Sequence, residues 1–295
     1  MCDNPIAEMD VGTTTKTYYD KAVERIRKAV APGTTGLDFL ATTGPVIAWI
    51  EDQGSNNSRK TYYSVVKSVL TARKVAEDEE AIKTYGKYFT AYFKRVKEAS
   101  MKQEPMVKEV AEGNDPLTWD EAIKAREQLV KDEDWQNACL LGCYTYLPPR
   151  RCDYAGMKVV KTVAQTKDTN WNYCLLRKAK PVFIFNKYKT DKTYGQQTYP
   201  IPEALANLIG TWRKTNTTEW LFIKANGDPM DSHRLSQHLI DLLERTTGKK
   251  AGASLLRHAF LTDLLKDEKP IADKQPIAEM MAHSLGTQEL YARKV

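Results

Sequence analysis

The chain has 295 residues, of which 42% are hydrophobic and 28% are charged, a balance typical of folded globular proteins rather than disordered ones. Its 44 Lys and Arg residues outnumber 38 Asp and Glu residues, so the net charge is +6, a surplus that by itself does not indicate nucleic-acid binding. No apolar run approaches the roughly 20 residues that span a bilayer, and the acidic first residues do not resemble a secretory signal. We therefore expect neither a membrane protein nor an exported one.

The cysteines and histidines do not show the spacing of a disulfide framework or of a structural zinc site. The five cysteines are an odd number and include no CxxC pair, which favours reduced thiols inside a cell. The four histidines are not spaced to complete a four-ligand zinc site with them. These residue types therefore predict no structural zinc site and no disulfide framework.

The first hundred residues predict an all-helical domain behind a short tail. Residues 1–15 have no periodic apolar pattern and are expected to form a flexible tail. Over residues 16–102, apolar residues recur at three- and four-residue spacing, as on the buried face of a helix. Four helices are expected: one carrying Ala22, Val23 and Ile26, one at Pro45–Glu51, one capped by Ser58, and one beginning near Glu77.

A polar stretch at residues 103–115 is predicted to link this domain to a second one at residues 116–295. The second domain starts with a capping-box pattern, Thr118 followed by Glu121. Helices are expected at Asn137–Tyr146, Pro202–Lys214, Ser232–Arg245, Ser254–Lys266 and Pro276–Ala282. Strands are expected at Met157–Val160, Tyr173–Leu176, Pro181–Phe185 and Thr198–Ile201. The predicted fold class is mainly α, with a small antiparallel β-sheet in the second domain.

Three clusters in the second domain could carry chemistry: Arg150-Arg151-Cys152-Asp153, Ser254 with Arg257-His258, and His283 with Tyr291. The arginines of the first cluster could bind helix-terminal carbonyls or present a planar fork to a phosphate. Ser254 is placed to cap the helix that bears the second cluster. Taken singly, each cluster is more typical of a structural role than of catalysis.

In combination, the clusters resemble the signature of the tyrosine recombinases, the phage-integrase-like family. That signature is an arginine, an HxxR motif, a histidine or tryptophan and a nucleophilic tyrosine, and this chain has in the same order Arg150, Arg257-His258, His283 and Tyr291. The acidic residue Asp153 lies three positions after the first arginine, as in the family's first motif. One member of the pattern differs, because Ser254 stands where the HxxR histidine would be. The interval from His283 to Tyr291, eight residues, is one shorter than usual.

The resemblance extends over most of the chain, from about Lys16 onward. The segment KYKT (187–190) resembles the family's lysine-bearing β-hairpin, and SRKTYYSVVKSVL (58–70) resembles part of its core-binding domain. The segments LPPRRCDY and SLLRH are most similar to recombinases of eukaryotic mobile elements and large DNA viruses. The resemblance therefore implies two domains that form a clamp around DNA.

The activity implied is the cutting and rejoining of DNA through a 3′-phosphotyrosine, without metal or cofactor. Tyr291 would be the nucleophile. Arg150 and Arg257 would bind the non-bridging phosphate oxygens and stabilise the charge that develops there. His283 and Ser254 would donate hydrogen bonds to the phosphate.

The hairpin lysine implied by the resemblance is Lys189, which would protonate the leaving 5′-oxygen. Lys187 or Lys192 could take this role instead, because hairpin alignments are loose. Asp153 and His258 would be supporting residues, with Asp153 orienting an arginine.

The implied partner is double-stranded DNA, bound by a homo-tetramer on two duplexes. The basic residues expected to contact DNA are Arg59, Lys60, Lys67, Lys94, Arg95, Lys187 and Lys192. The location would be intracellular, and nuclear if the host is eukaryotic. Two other functions stay open: DNA relaxation like that of a type IB topoisomerase, and a catalytically inactive DNA-binding protein on the same fold.

Overall fold

The computed structural model describes residues 5–102, 116–177, 179–266 and 271–282. The chain divides into two compact units, Met1–Pro105 and Met106–Val295, and each unit has its own hydrophobic core. In these described ranges, no helix is long and apolar enough to cross a membrane.

The first unit is helical throughout its described part. Its α-helices are α1 (Pro5–Glu8), α2 (Thr13–Val30), α3 (Thr43–Glu51), α4 (Asn56–Arg73) and α5 (Glu79–Met101). Short 3-10 helices lie at Asp38–Ala41 and Ala76–Asp78. The buried residues of α2 are Ala22, Val23 and Ile26, which confirms the helical period predicted there. The described part of this unit therefore contains four α-helices of substantial length, as the sequence predicts.

Two details of the first unit correct the sequence prediction. Ile6 is 2% exposed and belongs to the core, so residues 5–15 are not a flexible tail. A single helical turn is too short to show an apolar period, which is why α1 is missed. The N-cap of α4 is Ser55, whose hydroxyl accepts the backbone N–H of Ser58 at 3.0 Å. The helix therefore begins about one turn before the predicted cap, Ser58.

The second unit combines helices with one sheet. Its α-helices are α6 (Trp119–Lys131), α7 (Trp135–Thr145), α8 (Asp191–Tyr194), α9 (Glu203–Thr215), α10 (Ser232–Thr247), α11 (Ala253–Leu264) and α12 (Ile271–Met280). Its strands are β1 (Lys158–Val160), β2 (Tyr173–Leu175), β3 (Val182–Phe185) and β4 (Gln197–Pro200). A 3-10 helix lies at Val163–Thr166.

Helix α7 lies inside the core of the second unit. All residues from Ala138 to Tyr144 are buried, and a helix that is apolar all round is stable only when it is covered on every side. The preceding helix, α6, begins with the predicted capping box, in which Thr118 and Glu121 satisfy each other's backbone N–H groups. The chain leaves α7 at Leu147-Pro148-Pro149, because proline cannot continue a helix, and this exit places Arg150.

The sheet is mixed, which corrects the predicted antiparallel sheet. The strand order is β1-β2-β3-β4, with β2–β3 and β3–β4 antiparallel but β1–β2 parallel. Parallel neighbours need a crossover of about a dozen residues, and residues 161–172 provide it. The apolar pattern indicates where strands lie, but it does not specify the direction of pairing across so long a connection.

The boundaries of two later helices also differ from the sequence prediction. The N-cap of α11 is Gly252, so Ser254 is the second residue of the helix and does not cap it. The side chain of Ser254 is instead exposed. Helix α12 begins at Ile271 rather than at Pro276, which lies inside it.

Candidate active site

Arg150 is held almost completely inside the second unit. Its side chain follows the proline pair after α7, and the residue is 2% exposed. Its Nε donates to Asp153 Oδ2 at 2.9 Å, and its Nη1 donates to Gln197 Oε1 at 2.9 Å. The guanidinium carbon lies 4.3 Å from the centre of the Phe185 ring. These contacts fix the plane of the guanidinium group, because its donors are rigidly arranged.

Arg257 lies next to this arginine although it comes from a distant part of the chain. It projects from α11, is 4% exposed, and donates from Nε to the carbonyl of Pro149 at 3.0 Å. The bond joins α11 to the residue immediately before Arg150. Arg150 and Arg257, which are far apart in sequence, therefore form one cluster in the fold.

Both arginines bind the carboxyl end of α12. Arg150 Nη1 donates to the carbonyl of Met280 at 2.6 Å, and Arg257 Nη2 donates to that of Met281 at 2.8 Å. The last carbonyls of a helix have no partner within it and carry partial negative charge. Two guanidinium groups therefore stabilise this end and fix the position of Ala282, the last residue described before His283.

The hairpin loop between β3 and β4 is attached to the same end of α12. Thr190 Oγ1 donates to the carbonyl of Ala282 at 3.3 Å, and the Tyr199 hydroxyl donates to that of Glu279 at 3.2 Å. The Tyr188 hydroxyl closes the loop on itself through the carbonyl of Gly195, at 2.6 Å. The predicted lysine, Lys189, is thus carried by a loop that is fixed next to the arginine cluster.

Asn172 connects the arginine segment to the hairpin loop. The residue is 6% exposed, and its Oδ1 accepts the backbone N–H groups of Asn186 and Lys187, both at 2.8 Å. Its Nδ2 donates to the carbonyls of Asp153 and Lys187, again both at 2.8 Å. One buried amide therefore sets the spacing between the residue that orients Arg150 and the loop that carries Lys189.

Replacing Asn172 by Leu is expected to lower the free energy of unfolding by about 3 kcal/mol or more, because four hydrogen bonds are lost and their backbone partners lose the amide to which they bind. Urea unfolding measures the effect. The exposed neighbour Asn170 is the control, and Asn170→Leu should change stability by less than about 0.5 kcal/mol. Equal, small changes in both variants would contradict the positioning role of Asn172.

A cavity of about 870 Å³ lies beside this network. Four of the residues proposed from sequence line it: Asp153, Lys187, Lys189 and Ser254. The carboxylate of Asp153 also binds Arg150, so it joins the cavity to the arginine cluster. Both lysines and Ser254 are exposed, and their charges and hydroxyl make the cavity suitable for an anion.

Two further predicted residues of the second unit do not line the cavity, and two others lie outside the described residues. His258 is half-buried on α11 and is not among the described residues that line the cavity. Lys192 is exposed on α8, outside that wall. His283 and Tyr291 lie outside the described residues.

Two of the basic residues predicted in the first unit lie against the same aromatic ring. The guanidinium carbons of Arg59 and Arg95 lie 5.9 Å and 4.8 Å from the centre of the Tyr92 ring. The Tyr92 hydroxyl donates to Glu51, which also accepts from Tyr63 at 2.7 Å. Burial raises the pKa of Glu51. The two hydrogen bonds and the charges of the two arginines together lower it by more, so its pKa lies below the usual value. The ionised Glu51 therefore fixes a ring that supports both arginines.

The other three basic residues predicted to contact DNA from the first unit have different surroundings. The Lys67 ammonium lies 5.9 Å from the centre of the Phe89 ring. Lys94 makes an exposed ion pair with Glu98 at 3.9 Å, a contact that contributes little. Lys60 is half-buried on α4.

Sequence reasoning misses several residues that position the site. Asn172, Gln197 and Thr190 bind their partners across at least 14 residues of sequence. No local pattern marks such contacts, because each depends on which elements become neighbours in the fold. The KYKT segment is the one signal that points toward Thr190.

Comparison with known proteins gives relatives in fold but not in sequence. The chain matches no protein-family model and no curated protein sequence. A solved lambda integrase dimer bound to a COC′ core site is 15% identical with a TM-score of 0.58, covering 98% of this chain and 74% of that one. A lambda integrase tetramer bound to a Holliday junction is 14% identical, with a TM-score of 0.56. The match again covers 98% of this chain and 74% of the other. The chain therefore has the fold of the tyrosine recombinases.

Proposed function

We propose that the chain is a DNA integrase or site-specific recombinase that cuts and rejoins duplex DNA through a 3′-phosphotyrosine, without metal. The observation that carries this proposal is that Arg150 and Arg257 both donate hydrogen bonds to carbonyls at the carboxyl end of α12. His283 comes directly after the last residue of that end, and Tyr291 follows shortly in sequence. The anchoring of this end by both arginines supports a site where a tyrosine hydroxyl and a phosphate meet.

The arginines act as electrostatic stabilisers of the phosphate. The Nη2 of Arg150 is buried and has no hydrogen-bond partner among the residues that the structure describes. A buried charged donor without an acceptor is costly, so the group is suited to an oxygen that arrives with the substrate. Donors that are fixed before the reaction stabilise developing charge without reorganisation.

The residues that line the cavity supply a proton to the leaving oxygen and bind the phosphate. Lys189 protonates the leaving 5′-oxygen, and Lys187 lies in the same cavity wall as the alternative. The exposed hydroxyl of Ser254 donates a hydrogen bond to a phosphate oxygen. His283 donates a second such bond, while Asp153 orients Arg150 through its Nε.

The proposed role of Ser254 can be tested separately from helix capping, because Gly252 is the N-cap of α11. Ser254→Ala should slow DNA cleavage tenfold or more, which corresponds to about 1.4 kcal/mol. Its thermal midpoint should stay unchanged, since no capping bond is lost. Single-turnover cleavage and thermal unfolding measure the two effects. A variant that melts earlier yet cleaves at the normal rate would remove Ser254 from the site.

DNA affinity comes from basic residues in both units. Arg59 and Arg95 in the first unit are arranged in advance on the Tyr92 ring, which reduces the entropy lost when they bind phosphates. Lys187 and Lys192 contribute from the second unit. We propose that the units form a clamp around duplex DNA and that four copies act on two duplexes. The lambda integrase tetramer on a Holliday junction supports this assembly.

The biological setting belongs to the same proposal. The similarity of LPPRRCDY and SLLRH to recombinases of mobile elements and DNA viruses supports a role in integrating such an element. The location would then be intracellular, and nuclear in a eukaryotic host.

The test is covalent trapping on DNA. The purified chain is mixed with a pool of synthetic duplexes that have a randomised centre, and adducts are separated on denaturing gels. We expect covalent protein–DNA adducts that are enriched in one sequence. Binding without any adduct would favour an inactive DNA-binding protein. Efficient relaxation of a supercoiled plasmid that lacks the enriched sequence would favour a topoisomerase.

A further inference from the structure

The cavity next to the arginine cluster has an exposed aromatic ring in its wall. Trp171 and Tyr188 are the aromatic residues among the described ones that line it. The centre of the Tyr188 ring lies 5.0 Å from the guanidinium carbon of Arg150, and its hydroxyl is bound to the carbonyl of Gly195. Trp171 is 37% exposed, so part of its indole surface is open to a ligand in the cavity.

Two buried amides hold the backbone of Trp171 beside the hairpin loop. Asn186 Nδ2 donates to the carbonyl of Trp171 at 2.7 Å, and Asn186 directly precedes Lys187. The next residue after Trp171 is Asn172, whose Oδ1 accepts the backbone N–H of Lys187 at 2.8 Å. The position of Trp171 is therefore fixed relative to the loop that carries Lys187 and Lys189.

The indole ring of Trp171 is also held by its neighbours. Its centre lies 5.3 Å from that of the Trp220 ring, with the two rings inclined at 55°. The Lys158 ammonium lies 4.7 Å from the centre of the Trp171 ring and 4.9 Å from that of Trp220, a favourable contact of a cation with aromatic rings. The same ammonium pairs with Glu219 at 3.1 Å. A ring that is held in advance loses little entropy when a ligand stacks on it.

The other groups in the cavity wall indicate what this ligand is. Arg151, Lys187 and Lys189 are exposed cations that line the cavity together with Trp171. Cations suit the phosphate of a nucleotide, and an exposed aromatic ring suits the flat face of its base. The volume of about 870 Å³ is that of a typical small-molecule site. A base that is paired within a duplex presents only its edges in the grooves, so stacking on Trp171 requires a base that is unpaired.

We propose that Trp171 binds an unpaired base of the DNA by stacking, while Lys187 and Lys189 contact the phosphate beside that base. This inference rests on the proposed function and adds to its cavity a site for a nucleotide that has left the duplex. The transfer of a strand from one duplex to another requires unpaired bases near the cut. A base held on Trp171 keeps the free strand end in the cavity until that end is rejoined.

The experiment measures DNA affinity by fluorescence anisotropy and does not depend on cleavage. A duplex is selected from the randomised pool by its retention on native gels, and a series is made from it in which one base at a time faces an abasic position. At one or a few adjacent positions, the unpaired base should strengthen binding by about fivefold or more. The fully paired duplex should not show this gain, because unpairing a base costs about as much as stacking returns.

Trp171→Ala should lose this gain yet bind the fully paired duplex as tightly as the unmodified chain does, which also shows that the variant is folded. Trp171→Phe should keep most of the gain, because a smaller ring still stacks. Tyr194→Ala is the matched control, since Tyr194 is 38% exposed on α8 and is not among the described residues that line the cavity. It should keep the whole gain.

Three results would reject the stacking role and leave the proposed function in place: no gain at any position in the unmodified chain, an equal gain in Trp171→Ala, or an equal loss of affinity for paired and unpaired duplexes in that variant. If the unmodified chain retains no duplex at all, the proposed function is rejected, and this inference with it.

Discussion

Replacing Tyr291 by Phe is expected to abolish covalent protein–DNA adducts while leaving DNA affinity nearly unchanged. The variant removes the single oxygen that would attack phosphorus, whereas affinity depends on Lys and Arg contacts to phosphates elsewhere. Denaturing gels measure the adduct, and native gels measure binding.

The control for this prediction is another tyrosine of the second unit. Tyr194 is 38% exposed on α8, so its hydroxyl can be removed without disturbing the core. Tyr194→Phe should form adducts at the normal yield. Undiminished adducts from Tyr291→Phe would show that another tyrosine is the nucleophile.

The second large effect is expected at Lys189. Lys189→Ala should slow cleavage of ordinary DNA by roughly 100-fold or more, as the loss of a general acid does. The defect should largely disappear on a duplex with sulfur in place of the leaving 5′-oxygen, because a thiolate leaves without being protonated. Rates on the two duplexes, measured under single-turnover conditions, give the comparison.

Lys187 provides the matched variant, since it lines the same cavity and its backbone is fixed by Asn172. If Lys187 only binds phosphate, Lys187→Ala should weaken DNA binding and lower the cleavage rates of both duplexes by the same factor. The reverse result, with sulfur rescuing Lys187→Ala and not Lys189→Ala, would transfer the general-acid role to Lys187.

The helices of this protein could be predicted because their patterns are local. The apolar spacing of Ala22, Val23 and Ile26 and the capping box of Thr118 with Glu121 each lie within about two turns. The ion pair of Arg150 with Asp153 is local too, because the two residues are three positions apart. Such features are contained in a short segment of sequence, so they appear before any tertiary structure is known.

The parts that could not be predicted depend on contacts between distant segments. The parallel pairing of β1 with β2 follows from the path of the crossover, not from the composition of either strand. The four hydrogen bonds of Asn172 and the binding of the α12 carbonyls by Arg150 and Arg257 need the folded unit. The sequence points to Ser254 as the cap of α11, because glycine, the true N-cap, has no side chain to signal one.

The arginine contacts also change how the signature residues are understood. Arg150 and Arg257 serve as ties for the end of α12 as well as candidate phosphate ligands. Their structural role and their proposed catalytic role are therefore not alternatives. Removal of either side chain would release the segment that leads to His283, so a loss of activity in such a variant would not by itself identify a phosphate contact.

The most direct test of the central claim is to identify the residue and the DNA end that are joined in the adduct. The adduct is digested with protease and nuclease, and the linked peptide is sequenced by mass spectrometry. The account predicts a nucleotide attached through its 3′-phosphate to the oxygen of Tyr291. Attachment to a different residue, or through a 5′-phosphate, would contradict it.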